Sequence, residues 1–179
     1  MKVIIGIVIS AAICVFSTNA MAQLKEIGSI DTPDGKKGDP RVSEALKSAS
    51  VKYTVDSDGD FKVVWSLADS RDHVVFINSR TSKYASSENV KPVELREIWA
   101  VAFVAGDISK GNLMALLELN SSYKLGSWGL SKQGDGRYMA RFIIRVPAEC
   151  RGAILRQFTS LVAEAADEIE KRTTGKDEY

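Results

Sequence analysis

The densest group of metal-ligand atoms in this sequence is the run Asp56-Ser57-Asp58-Gly59-Asp60. Its alternating carboxylates resemble the start of a calcium loop, because Ca²⁺ takes about six to eight oxygen ligands. A loop of the EF-hand type needs a bidentate glutamate in twelfth place, whereas the twelfth residue counted from Asp56 is Leu67. Asp and Gly also favour tight turns for their backbone freedom. We therefore predict a hairpin turn here in preference to a metal site, and we expect no metal or cofactor.

A second polar group contains the side chains of a hydrolase triad, Asp69, Ser70, Asp72 and His73, within a short stretch. A triad needs a nucleophile, a base and an orienting group in a defined geometry, which neighbours on an extended segment do not adopt easily. His73 is the only histidine, so a histidine-based zinc site or acid–base pair is not expected. Phosphate-binding glycine loops and Cys-x-x-Cys pairs are also missing from the sequence. We predict a polar loop leading into a strand, in a protein that is not an enzyme.

Three arginines, Arg137, Arg141 and Arg145, share one parity of an expected strand. Side chains of one parity lie on one face, so the guanidinium groups would be spaced about 13 Å apart. Such a stripe could bind an acidic peptide or anionic lipid headgroups. The alternative is a solvated face whose arginines pair with acids on neighbouring strands. The even charge balance of the chain favours this alternative.

Trp128 lies between two glycines, Gly126 and Gly129, on another expected strand. Glycine in a strand often indicates a close approach by another backbone. A groove for a partner segment and tight packing of a helix on the sheet both explain the pattern. Trp65 and Trp99 lie in strongly apolar strands and are interpreted as core. The candidate binding residues are therefore Arg137, Arg141, Arg145 and Trp128.

The first 22 residues have the pattern of an export signal. A single basic residue, Lys2, precedes an apolar run over residues 3–16, and Ala20-Met21-Ala22 resembles a signal-peptidase site. The run is shorter than the roughly 20 residues of a stable membrane span. We predict cleavage after Ala22, no stable membrane anchor afterwards, and a periplasmic or secreted location. A retained anchor is the alternative.

Composition narrows the function class further. The chain has 179 residues, 45% of them hydrophobic and 26% charged, which is typical of soluble globular proteins and excludes a disordered or multi-span membrane protein. Its 24 basic residues balance 23 acidic ones, so no nucleic-acid partner is expected. Cleavage would leave Cys150 as the one cysteine, which we expect to be buried in the last helix rather than to bridge two chains.

Hydrophobic periodicity predicts one α+β domain over residues 40–174, preceded by a flexible tether at 23–39 and followed by a tail at 175–179. Helices are expected from Asp39-Pro40, from Asp107 or Ser109, and from Pro147. The third helix has an apolar stripe of Ile154, Phe158, Leu161, Val162, Ala165 and Ile169. Strands are predicted at residues 51–55, 61–67, 73–79, 95–105, 124–131 and 137–146. The order α-β-β-β-β-α-β-β-α indicates an antiparallel sheet with helices packed on one face, and residues 95–105 are expected to form a central strand.

This order resembles the YbjN-like family of bacterial sensory transduction regulators, which is similar in fold to type III secretion chaperones. The resemblance covers residues 43–172 and rests on VKYTVDSDGDFKVVW, LMALLELNSSYKLGSWGL and AEAADEIEKR. Its best-marked positions are Asn120 and Gly126. It implies a domain that contacts other macromolecules, that carries no catalytic residues and that could form a homodimer. The export signal is a departure from that family.

The sequence therefore predicts an exported, non-enzymatic module that binds a protein or peptide partner and is chaperone-like or regulatory. The alternative prediction is a periplasmic carrier of a small apolar ligand or lipid, with its pocket between sheet and helices.

Overall fold

The fold is one antiparallel β-sheet with three helices on one of its faces, in a computed structural model that describes residues 25–30, 38–85 and 89–179. The α+β class predicted from the sequence is confirmed. The helices are α1 (Pro40–Ser48), α2 (Lys110–Ser122) and α3 (Gly152–Thr173). The strands are β1 (Lys25–Ile30), β2 (Thr54–Val55), β3 (Phe61–Ser66), β4 (Asp72–Ile77), β5 (Thr81–Ala85), β6 (Val93–Ala105), β7 (Ser127–Lys132) and β8 (Tyr138–Pro147).

The long strand β6 is the centre of the sheet, as predicted. On one side it pairs with β8 from Leu95 to Ala105, and β8 in turn pairs with β7. On its other side β4 and β5 follow one another along the same strand, separated by residues 78–80. Strand β3 continues the sheet beyond β4, and β1 continues it beyond β5. Neighbouring strands on both sides satisfy the backbone hydrogen bonds of β6 along much of its length.

The core lies between the sheet and α3. Alternate residues of the strands point into it, among them Phe61, Val63, Val75, Ile77, Ile98, Phe142 and Ile144, all at most 1% exposed. Helix α3 contributes Leu155, Val162, Ala166 and Ile169 from one face. Burial of each large aliphatic side chain is worth about 1.5–3 kcal/mol. This packing keeps the sheet rigid and leaves its second face without a helix among the described residues.

A buried ion pair joins α1 to the central strand. Asp39 caps α1 by accepting the N–H of Arg41, and its Oδ2 accepts a 2.6 Å hydrogen bond from Nη2 of Arg96, which is 2% exposed. Arg96 also donates to the carbonyls of Asn78 and Ala148. The network therefore positions the 78–80 segment between β4 and β5.

Two strands form where the sequence did not indicate them. Strand β5 lies between the predicted strands at 73–79 and 95–105, where no strand was predicted, and β1 lies inside the predicted tether, which corrects that prediction for Lys25–Ile30. Strand β1 contains the weak strand formers Lys25, Glu26 and Gly28, and β5 mixes Thr81 and Tyr84, which favour strands, with Lys83 and Ala85, which do not. Strand β5 forms because its backbone has hydrogen-bonding neighbours on both sides, β6 and β1. The rest of the tether up to residue 37, and the predicted signal at 1–22, lie outside the described residues.

Helix α3 begins later and is rotated relative to the prediction. Pro147 is the last residue of β8, paired with Leu95, and the helix begins at Gly152. Ile154 is 42% exposed while Leu155 is 1% exposed, so the predicted apolar stripe is wrong at its first position. Because Ile154 and Leu155 are both apolar, the sequence allows two orientations of the first turn of the helix. The contact with α1 determines which of the two residues is buried.

Cys150 is half-buried in the loop before α3 rather than inside the helix, and burial raises the pKa of its thiol. The predicted tail at 175–179 folds back on β4, where the carbonyl of Tyr179 accepts the N–H of Val74 at 3.1 Å. Among the described residues no helix has both the length and the apolar character that a membrane span requires.

Candidate functional site

The candidate functional site is the sheet face opposite the helices, which we call the open sheet face. It contains Lys62, Val64, Phe76, Trp99, Arg141, Ile143 and Arg145. These residues alternate with core positions, so their side chains point away from α3. Lys62 pairs with Phe76, Phe76 with Trp99, and Trp99 with Ile143 in the strand register, which places the four side chains in one row across four strands.

A stacked aromatic pair forms the middle of this row. The rings of Phe76 and Trp99 lie 4.3 Å apart with an angle of 13° between their planes. A cation covers each outer side, since Lys62 Nζ is 5.4 Å from the Phe76 ring and the Arg141 guanidinium is 5.1 Å from the Trp99 ring. Cation–π contacts of this kind contribute about 0.5–1 kcal/mol each at exposed sites. The aromatic pair is therefore held in a fixed orientation by four strands.

Trp99 is also fixed by its indole N–H, which donates a 2.7 Å hydrogen bond to Oδ1 of Asn78. Asn78 belongs to the segment that Arg96 holds from the core side. Beyond it the face dips into a cleft of about 290 Å³ lined partly by Tyr84, Glu97 and Arg145. The open sheet face thus combines a rigid aromatic centre with a polar depression beside it.

The three predicted arginines do not form one stripe. Arg141 lies over Trp99, makes no ion pair with a described carboxylate, and has a buried Nε without a hydrogen-bond partner. Arg145 forms a 2.7 Å ion pair with Glu97 on the neighbouring strand β6. Arg137 precedes β8 and pairs with Asp135 in the turn at 2.7 Å. Arg145 therefore follows the alternative prediction, in which the arginines pair with acids on neighbouring strands. Arg137 pairs instead with an acid two residues away in its own turn.

Trp128 lies in the core rather than on a binding surface, which corrects the prediction. It is 6% exposed and packs against Phe142 with ring centroids 5.2 Å apart. Its backbone N–H donates to Oδ1 of Asn120 at 2.6 Å, and Nδ2 of Asn120 donates to its carbonyl at 3.3 Å. The side-chain amide of Asn120 thereby replaces a neighbouring strand and joins α2 to β7. The alternation of Trp128 with the small residues Ser127 and Gly129 is the signal that indicates an inward position.

Trp99 and Phe76 are the residues that the sequence reasoning missed. Trp99 was interpreted as core because β6 is apolar on both faces, yet its side chain is half-buried on the open sheet face. Parity relative to Ile98, which is fully buried, identifies the correct face once the register is known. Periodicity alone could not choose, because both parities of this strand are apolar.

The acidic run at 56–60 forms the predicted turn. Oδ1 of Asp56 accepts the backbone N–H groups of Asp58 and Asp60 at 3.0 Å each, and Gly59 has a φ of 87° that favours glycine. Asp60 turns away and accepts the N–H of Ser79 at 2.7 Å. Two of the three carboxylates are therefore occupied by backbone hydrogen bonds.

The second polar group, residues 69–73, separates into different environments. Asp69 pairs with Lys171 at the surface, whereas His73 is fully buried beneath α3. There, Arg71 donates through Nε to Asp167 at 2.5 Å and through Nη2 to Glu170 at 3.0 Å. Among the described residues, His73, Asp167 and Glu170 form the one group of three with ligand atoms within 4.8 Å of one another.

Burial sets the protonation of this cluster. Loss of solvent lowers the pKa of His73, which keeps the ring neutral at neutral pH, and it raises the pKa of the fully buried Glu170. Hydrogen bonding to Asp167 raises the pKa of Arg71. The cluster therefore places the His73 imidazole beside two acidic side chains that one guanidinium holds in place.

A groove of about 490 Å³ separates α2 from α3 on the helix side. Its walls include Leu116 and Leu119 of α2 and Ile169 and Arg172 of α3, and Phe103 of the sheet also lines it. Its volume is within the range of small-molecule sites.

Comparisons with protein-family models, with curated proteins and with solved structures found no match to this chain. The resemblance to YbjN-like proteins therefore depends on the sequence patterns alone and stays a prediction.

Proposed function

We propose that this protein is an exported, non-enzymatic module that binds a protein or peptide partner through the open sheet face. The observation that carries the proposal is the stacked Phe76–Trp99 pair between Lys62 and Arg141, on a face that no helix of the described residues covers. Aromatic residues and arginine are enriched at protein interfaces and among their energetic hot spots.

The chemistry of this surface favours a segment that is apolar with acidic groups beside it. The rings and the 59%-exposed Val64 offer apolar area, while Arg141 has no ion-pair partner among the described residues. A rigid aromatic surface loses little conformational entropy on binding. An acidic side chain beside Trp99 would place its charge against the Arg141 guanidinium.

Photo-crosslinking in cells tests this proposal. A benzophenone amino acid replaces Val64 on the open sheet face in one variant and Leu117 of α2 in another, positions that are 59% and 63% exposed. We expect a partner adduct from position 64 and none from position 117. Arg141→Gln should reduce the yield at position 64 severalfold, whereas the matched Arg137→Gln should leave it unchanged, because Arg137 pairs with Asp135 away from the rings.

An adduct from position 117 alone would move the interface to the helix side and refute the proposal. Equal yields from the two arginine variants would show that Arg141 takes no part. Circular dichroism of each variant checks that it is folded.

Export is the part of the proposal that the first 22 residues support. We expect the chain, expressed in full in a Gram-negative host, to appear in the periplasmic or secreted fraction with Gln23 as its first residue. Amino-terminal sequencing tests this directly, and an intact Met1 on protein from the cytoplasmic fraction would contradict it.

A carrier of an apolar ligand or lipid is the second candidate, and the groove between α2 and α3 is the observation that favours it. Native mass spectrometry of protein purified without detergent distinguishes the two functions. A co-purified lipid that is lost in Leu116→Gln would support the carrier. A ligand-free monomer or homodimer would support the binding module.

A further inference from the structure

The tautomer of His73 follows from its surroundings. Nε2 lies 2.9 Å from the carbonyl oxygen of Val101, and a carbonyl only accepts hydrogen bonds, so Nε2 carries the proton. In a neutral ring the other nitrogen, Nδ1, then has a free lone pair. This nitrogen is buried and has no hydrogen-bond partner among the described residues. An imidazole that donates one N–H to a backbone carbonyl is oriented as metal-binding histidines usually are.

A second acceptor lies near this nitrogen. Nδ1 lies 3.5 Å from Oε2 of Glu170, and both side chains are fully buried. Two acceptors at this distance repel each other unless a positive charge lies between them. A shared proton would draw them to about 2.6–3.0 Å. Two ligands of a tetrahedral ion with bonds of about 2.0–2.1 Å lie about 3.3 Å apart, which is close to the observed separation.

Asp167 completes the arrangement from the same helix. Residues three apart lie on one face of a helix, so Asp167 and Glu170 both face His73. One carboxylate oxygen of Asp167 lies within 4.8 Å of the ligand atoms of both His73 and Glu170. Glu170 is held by hydrogen bonds from the N–H of Glu178 to Oε1 and from Arg71 to Oε2, and Oε2 is also the oxygen that lies near the imidazole.

The local charge also favours a dication. Arg71 contacts three carboxylates, those of Asp167, Glu170 and, at 3.7 Å, Asp177. With a neutral His73 the ionised group has a formal charge of −2. The one guanidinium, which already donates to Glu170 at 3.0 Å, does not balance this charge, whereas a dication would.

We propose that Nδ1 of His73 and one carboxylate oxygen each of Asp167 and Glu170 bind a divalent transition-metal ion, with Zn²⁺ as the best match to one imidazole and two carboxylates. Arg71 holds both carboxylates in position as an outer hydrogen-bond donor. The ion reaches the site past Asp167 and Arg71, whose side chains are 15% and 11% exposed. It ties α3 to β4 and thereby stabilises the fold independently of the open sheet face.

Zinc titration of the purified, chelator-treated protein tests the proposal. We expect calorimetry to show one zinc ion per chain, and a hundredfold excess of zinc over Kd to raise Tm by about 5–10 °C. Glu170→Gln and Asp167→Asn should each weaken zinc binding by at least about tenfold. The matched control, Glu168→Gln, changes a 53%-exposed acid on the same helix and should leave the affinity unchanged.

NMR of the histidine ring provides a readout that folding defects do not imitate. Because the chain has a single histidine, its two ring nitrogens are assigned without ambiguity. Zinc should shift the Nδ1 resonance and leave Nε2 protonated. Three outcomes would each overturn the proposal: an Nδ1 that does not respond to zinc, an Nδ1 protonated in the metal-free protein at neutral pH, or binding that survives both carboxylate variants.

Discussion

At the scale of single residues, burial decides what each charged side chain does. Arg96 is 2% exposed and forms a buried ion pair with Asp39, whereas Arg137 is exposed and forms an ion pair with Asp135 in a turn. Arg141 lies between these extremes with its guanidinium over a ring. The three residues have the same chemistry, so their roles follow from position in the sheet.

The Asp39–Arg96 pair predicts a pH dependence of stability. Burial by itself raises the pKa of Asp39, but hydrogen bonds from Arg41 and Arg96 outweigh it and lower the pKa to about 2. A depressed pKa in the folded state contributes stability above the ordinary pKa of an aspartate, and this is lost as pH falls toward 2. The shift corresponds to about 2 kcal/mol of unfolding free energy.

Asp39→Asn should therefore destabilise the protein by about 3 kcal/mol at neutral pH, because it leaves the Arg96 charge buried and unpaired. The difference from the parent should shrink as pH falls from 4 to about 2. Urea unfolding at several pH values measures it, with Glu44→Gln, an exposed acid on α1, as the control. A difference that is independent of pH would rule out ionisation of Asp39 as the cause.

At the scale of elements, close approach between backbones determines which small residues are required. Gly152 begins α3 where it crosses α1, and a Cβ there would lie 2.3 Å from the carbonyl oxygen of Ala45. Gly126, before β7, has a φ of +82° and a Cβ would lie 2.9 Å from the carbonyl oxygen of Ile143. Gly126 thus packs closely against β8, while Asn120 joins α2 to β7 through its two hydrogen bonds with the backbone of Trp128.

Gly152→Ala should cost about 1–3 kcal/mol of unfolding free energy, because the added methyl group forces α1 and α3 apart. Gly111→Ala is the matched control, since Gly111 also lies in the first turn of a helix and the nearest atom to its added Cβ would be Ser109 Oγ at 3.8 Å. That control should be neutral or stabilising by up to about 1 kcal/mol. Thermal unfolding of both variants measures the two changes in stability. Equal changes would contradict a role for the α1–α3 contact.

At the scale of the whole molecule, all three helices lie on one face of the sheet, and the chain end helps to close the structure. Residues 177–179 lie against β4, where Asp72 and Val74 donate their N–H groups to Asp177 and Tyr179. The N–H of Glu178 donates to the buried Glu170 at 2.6 Å. The predicted tail is therefore tied to β4 and α3 by hydrogen bonds, although residues 175–178 stay exposed.

Truncation after Thr174 should lower the unfolding free energy by about 1–3 kcal/mol, because it leaves the Glu170 oxygen and the Val74 N–H without these partners. Hydrogen exchange at the Val74 amide should become faster. Lys176→Ala keeps the backbone and removes only an exposed ion pair, so it should change stability by less than about 0.5 kcal/mol. Unchanged exchange at Val74 after truncation would show that the tail does not protect β4.

Much of the fold follows from local patterns. Asp39-Pro40 and the spacing of Val42, Ala45 and Leu46 predict α1, and both apolar parities of residues 95–105 predict a central strand. Faces and boundaries were less predictable. Ile154 and Leu155 are neighbours and both apolar, and the same holds for Ile98 and Trp99. Only the packing of neighbouring elements decides which residue of each pair is buried.

By itself the sequence determined the class of the fold, the central place of β6 and the acidic turn, because hydrophobic period and turn chemistry act over a few neighbouring residues. Tertiary structure alone decided the two sites. The rings of Phe76 and Trp99 are 23 residues apart in the chain, and His73 meets Asp167 and Glu170 across nearly a hundred residues. Such meetings depend on strand register and on the packing of α3 against the sheet, which no local pattern encodes.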